Sequence, residues 1–63
     1  MFEDKILRLP EVMKITGLKR SSIYSYVKKN IFPKSIPLGI RAVGWLESEV
    51  REWVIQRANS RQS

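Results

Sequence analysis

Polar and apolar residues alternate near the start of the chain, in Lys5-Ile6-Leu7-Arg8-Leu9, and this period of two predicts a short edge strand. The period then lengthens. Leu9, Val12 and Ile15 recur three apart, which predicts helix one over residues 10–16 with an inward apolar face. Pro10 suits the first turn, where a missing N–H costs nothing, and Glu11 lies at the positive end of the helix dipole. Gly17 tolerates the left-handed backbone that ends a helix. After Leu18 a second helical stretch begins, its cap at Ser21 or at Lys19, which is a poor N-cap. Ile23, Tyr26, Val27 and Asn30 share one face of it; Ser21, Tyr24, Ser25 and Lys28 share the other. Asn30 closes this helix, and Phe32-Pro33 stops any continuation.

Residues 35–38 and 42–45 read as two short strands joined through Gly39-Ile40-Arg41, a hairpin with Arg41 at or near its tip. Gly39 and Gly44 would permit the tight turn and a close backbone approach. The last helix begins at Glu47 or Ser48, with Glu47 and Glu49 complementing its dipole. Leu46, Val50, Trp53, Val54 and Arg57 form its packing stripe, and the polar residues 58–63 are expected to fray. Neither a repeat nor a linker interrupts the pattern. It describes one domain over residues 1–63, mainly α with a small β-hairpin and three helices, with flexible ends at 1–4 and 58–63.

Length makes the large side chains decisive. A chain of 63 residues buries only about 60% of its unfolded surface, so a few bulky residues must supply the core. Trp45, Trp53 and Tyr26 read as core on that ground, and Trp53→Ala is expected to unfold the domain. The rival use of the tryptophans is as stacking platforms for single-stranded nucleic acid. With neither cysteine nor histidine, the chain has no disulfide, no thiolate metal site and no imidazole base. Glu47, Glu49 and Glu52 are explained by the helix dipole and by solubility. No enzyme activity, cofactor, metal or small-molecule ligand is expected. No apolar run approaches the ~18 residues of a membrane span, and the N-terminus lacks a signal peptide's apolar stretch. A cytoplasmic, nucleoid-associated protein is the expectation.

Charge changes the picture most. Between Val12 and Leu46 lie Lys14, Lys19, Arg20, Lys28, Lys29, Lys34 and Arg41, and no acid; the whole formal charge of +6 arises there. A basic, acid-free helix after a glycine turn suits the major groove of duplex DNA, braced by the helix before it. The small Ser21 and Ser25 would let its backbone approach base edges, with Ser22 and Lys19 on the same segment. Arg20, Lys28 and Lys29 would neutralise phosphates or read guanine. Tyr24 either donates its hydroxyl to a phosphate or packs in part against the domain. Arg41 would bring one cation to a phosphate or a narrow minor groove, while Lys34 is either a phosphate contact or simply solvated. Any two-helix corner of a small domain shares the bare pattern; the segregated charge separates the two readings.

The chain resembles the AlpA family of phage regulatory proteins, within the wider class of MerR-like and excisionase-like winged helix-turn-helix domains. The resemblance spans about residues 5–57. It rests on Arg8-Leu9-Pro10-Glu11-Val12, on Thr16-Gly17-Leu18 with Arg20-Ser21 and Ile23-Tyr24, and on Phe32-Pro33-Lys34. It rests further on Leu38-Gly39, on the specific run Arg41-Ala42-Val43-Gly44-Trp45-Leu46-Glu47-Ser48-Glu49-Val50, and on Trp53. Lys19 departs from the pattern, in place of a small hydroxyl residue. The resemblance implies a winged helix-turn-helix prophage or mobile-element regulator that binds DNA, activating a neighbouring integrase gene or favouring excision. The partners then expected are double-stranded DNA, an integrase, and a second copy of the chain in cooperative binding. Two other classes fit a basic domain: an RNA-binding module, without the exposed aromatic pair of an RRM, and a protein-interaction module using the polar face of Arg51, Glu52 and Gln56.

Overall fold

A computed structural model describes residues 4–60 of the chain. The elements follow as β1 (Ile6–Leu7), α1 (Leu9–Thr16), α2 (Arg20–Lys28), β2 (Ile36–Pro37), β3 (Val43–Leu46) and α3 (Glu47–Ser60). None of the described helices is long and apolar enough to cross a membrane.

Local chemistry sets the helix ends. Helix α1 begins at Leu9, which the alternating pattern places in the strand, because Arg8 acts as its N-cap residue. The Arg8 N–H donates to Oε1 of Glu11 at 3.0 Å, the reciprocal half of a capping box. Gly17, at φ 75°, ends the helix and donates its N–H to the Met13 carbonyl at 2.8 Å. Helix α2 is capped by Lys19, not Ser21, and stops at Lys28. Asn30 closes it from beyond the last turn rather than from its buried face. Its φ is 63°, and its N–H reaches the Val27 carbonyl at 3.1 Å while that of Ile31 reaches Tyr26 at 2.9 Å. Those paired bonds satisfy carbonyls that a helix end otherwise leaves open.

The sheet is antiparallel, in the order β1-β3-β2. Leu7 pairs with Trp45 on one side, and Ile36 with Gly44 on the other. β1 is thus an edge strand, as its alternation suggests, and Pro37 sits on the opposite edge, where a missing N–H breaks no ladder. The hairpin strands are shorter than the sequence suggests. Ser35, Leu38 and Ala42 fall outside the ladder, although the Leu38 N–H still donates to the Ala42 carbonyl at 2.7 Å and closes the tip.

Every element except β2 sends a side chain to one core: Leu7, Val12, Ile23, Trp45 and Val50, joined by Phe32 from the loop after α2. Trp45 is wholly buried, its indole N–H donating to the Pro33 carbonyl at 3.0 Å. Trp53 and Tyr26 lie at the rim of this core, half-buried. Trp53 meets Phe32 edge-on at 4.8 Å, donates its N–H to Ile31, and carries the Arg57 guanidinium 4.7 Å from its ring centre.

Gly44 lets β3 pass between its neighbours. A Cβ there would stand 2.5 Å from Cγ2 of Ile6 and 3.0 Å from the Leu7 carbonyl oxygen. Gly44→Ala is therefore expected to cost about 1–3 kcal/mol, seen as a lower denaturant midpoint at unchanged slope. Gly39 has open space around it, so the fold itself requires no close approach there.

The chain start latches the last helix. The Glu47 N–H donates to the Lys5 carbonyl at 2.8 Å and that of Ser48 to Oδ1 of Asp4 at 3.2 Å, while the Ser48 hydroxyl donates to Oδ2 of Asp4. Asp4, which the sequence places in a flexible end, is thus held, and α3 continues past Ala58 to Ser60. Expectations for residues 1–3 and 61–63 lie outside the described residues.

The hydrogen bond from the Ser48 hydroxyl is the main cause holding the Asp4 carboxyl below its ordinary value, against a smaller opposing effect of desolvation. A carboxyl with a lower folded than unfolded value, the latter about 3.9, binds its proton more weakly in the folded state. Its contribution is complete above the unfolded value and lost as pH falls through the folded one. Melting temperature should decline over that acidic range, and Asp4→Asn should flatten the decline. An unchanged acid profile in the variant would show that the latch contributes nothing.

Candidate nucleic-acid interface

Helix α2 is seated by Ile23, which is fully buried, with Tyr26 and Val27 half-buried beside it. At 3.6 residues per turn, Ser21, Tyr24, Ser25 and Lys28 then face away from the core. Ser21, Tyr24 and Lys28 are exposed and Ser25 is half-buried. Tyr24 is 46% exposed. Its hydroxyl and ring have no partner among the described residues, so it remains available for an outside contact. Lys19, Arg20 and Lys29 are exposed on the flanks, and Ser22 is half-buried.

Apart from Lys5, which is exposed near the chain start, the described cations divide into two populations. Arg8 donates through Nε to the Val43 carbonyl at 3.1 Å, Arg51 pairs with Glu47 at 2.9 Å, and Arg57 lies over Trp53 and Tyr26. All three lie outside the acid-free stretch and serve the fold. Lys14, Lys19, Arg20, Lys28, Lys29, Lys34 and Arg41, all within it, are exposed. Among the described residues none of these seven makes an ion pair or a side-chain hydrogen bond. Lys14 lies in the last turn of α1, where a cation complements the dipole. Lys28 is placed likewise in the last turn of α2, and the other five have no such service.

Helix starts show the same division. Carboxylates serve α1 through Glu11, and α3 through Asp4, Glu47 and Glu49. The first turn of α2 has no acid, and its cap residue Lys19 gives no side-chain hydrogen bond. Its leading N–H groups therefore lack a side-chain acceptor. Lys19 and Arg20 put positive charge at the positive end of that dipole, which costs the isolated helix about 0.3–1 kcal/mol each. A phosphate placed there would relieve the charge and accept those N–H groups.

Lys34 and Arg41 belong to the hairpin and not to α2. Lys34 is exposed beside Pro33, whose carbonyl is pinned by Trp45, so it stands at the base of the hairpin. Arg41 is exposed in the tip loop. Residue pattern alone overlooks the neighbour of Arg41: Ile40 is fully exposed. An isoleucine where turn chemistry favours Gly, Asn, Asp or Ser is the signal that could have found it.

Three helices, the second basic and left open at its start, with a small antiparallel sheet whose hairpin projects a cation, define a winged helix-turn-helix protein. The chain belongs to the family described as Prophage CP4-57 regulatory protein (AlpA), which matches residues 5–58. It is 42% identical over 59 residues to the Escherichia coli (strain K12) protein named DNA-binding transcriptional activator AlpA, covering 84% of each chain. It is 44% identical over 59 residues to the protein named ORF88 of Enterobacteria phage P4, covering 94% of this chain and 67% of that one.

Proposed function

We propose that this protein is a prophage or mobile-element regulator that binds double-stranded DNA, with α2 in the major groove and the hairpin as a wing. The observation that carries this reading is the set of cations, unpaired among the described residues, gathered on α2 and the hairpin, with α2 open to a phosphate at its start. The name of the Escherichia coli relative supports it. Lys19, Arg20, Ser22, Lys29 and Lys34 hold the backbone, and Arg41 adds a contact from the wing. Ser21, Tyr24, Ser25 and Lys28 face the bases and choose the site. A single module of this kind covers roughly 600–1,000 Å², so tight binding draws on repeated sites, a second copy, or an integrase.

The regulatory output is activation of a neighbouring integrase gene, with promotion of excision as the alternative output of the same contact. Integrase transcript and excised junctions, measured with and without the protein, separate the two. The expected result is a rise in transcript that Arg20→Ala abolishes. Excised junctions that rise at constant transcript would assign it an architectural role beside the integrase. No change in either would contradict the regulatory reading.

A further inference from the structure

We propose that Ile40 is an apolar wedge that enters the minor groove of bound DNA and opens a base step, with Arg41 lying in the groove beside it; this rests on the DNA-binding reading above.

Ile40 is 101% exposed, whereas no other large apolar residue among those described exceeds 52%. It stands at the apex of the hairpin loop between Gly39 and Arg41, both exposed. A protein-docking patch needs a contiguous apolar area of some hundreds of Å². The tip offers one side chain, with Leu38 at its foot. Its charge points to the same partner. The nearest charged residues along the chain are Arg41 and Lys34, and no acid lies between Val12 and Leu46, so a polyanion is the surface this loop can approach. The loop is also braced. Leu38 is bonded to Ala42, and its Cδ1 lies 3.1 Å from where a Gly44 Cβ would be, so the tip is anchored in the sheet. Gly39 meets no obstacle within the protein and adds no side chain beside the wedge.

A small apolar side chain on a cationic support is the equipment with which proteins part base steps from the minor groove. Such a wedge favours the easily unstacked pyrimidine–purine steps TA and CA/TG. It thereby adds a sequence preference of its own to that of the exposed face of α2. The contact neutralises no phosphate, so it has a signature distinct from that of Arg41.

The test uses a dye-labelled duplex from the protein's own upstream region, with bending read by energy transfer and affinity read over a salt series. The full chain is compared with Ile40→Ser, Ile40→Leu and Arg41→Ala. Ile40→Ser should melt as the parent does, lose the bend, and lose affinity on the order of tenfold at unchanged salt slope. Ile40→Leu should retain both. Arg41→Ala should instead lower the salt slope by about 0.9. Parental bending and affinity in Ile40→Ser would overturn the wedge while leaving DNA binding intact. So would a defect confined to cooperativity between copies, which would place Ile40 against protein. A parent protein that shows no preference for duplex over structured RNA would overturn the DNA-binding reading itself, and the wedge with it.

Discussion

Trp45→Ala should leave the domain unfolded at room temperature. The indole is wholly buried between Leu7 of β1, Phe32 of the loop and Val50 of α3, in a core of six residues. Truncating a buried tryptophan costs about 3–5 kcal/mol. A core in a chain this short rarely supplies more than about 3–5 kcal/mol in total. The truncation also frees the Pro33 carbonyl, and with it the base of the hairpin. Trp53→Ala, which the sequence casts as the unfolding change, should cost less, because Trp53 lies half-exposed at the rim under Arg57. Circular dichroism melts of the two variants decide the order. A cooperative Trp45→Ala melt within a few degrees of the parent would show that the core is distributed differently.

Arg20→Ala with Lys28→Ala should abolish preferential DNA binding while leaving the fold intact. Both side chains are exposed and, among the described residues, unpaired, so stability loses at most the small dipole contribution of Lys28 in the last turn of α2. Removing Arg20 from the positive end of α2 should even raise stability slightly, by up to about 1 kcal/mol. A side chain that neutralises one phosphate should, when truncated, lower the log–log salt slope by about 0.9. A side chain that reads a guanine should instead cost about 1–3 kcal/mol and relax the preferred base at one position. The single variants thus distinguish a positioning residue from a reading one. A double variant that binds its preferred duplex as the parent does would remove α2 from the interface.

Much of this fold was legible because its helices are marked locally. Val12, Ile23 and Val50 recur at helical spacing with their neighbours and are the helix residues found wholly buried. Gly17, which lacks a Cβ, and Asn30, whose short polar side chain tolerates it, take the left-handed backbone. What the pattern misses is held by distant partners. β1 meets β3 only after the chain has made two helices and a hairpin, so the central place of β3 and the demand for Gly44 between Ile6 and Leu38 have no local signature. Asp4 caps a helix 44 residues away, and no window of sequence reveals that. Charge segregation was visible throughout, and among the described residues the central cations make no ion pair. Hydrophobic alternation could not show Ile40 to be exposed, since it distinguishes the faces of a strand and says little of a loop apex.

The most direct test of the central claim is binding of the purified protein to fragments of its own upstream region, against random duplex of equal length, over a range of salt. Preferential binding that persists near physiological salt, with a slope reflecting several phosphate contacts, is the expected result. Weak binding that is equal for every duplex and vanishes as salt rises would contradict it, leaving a basic surface without a site.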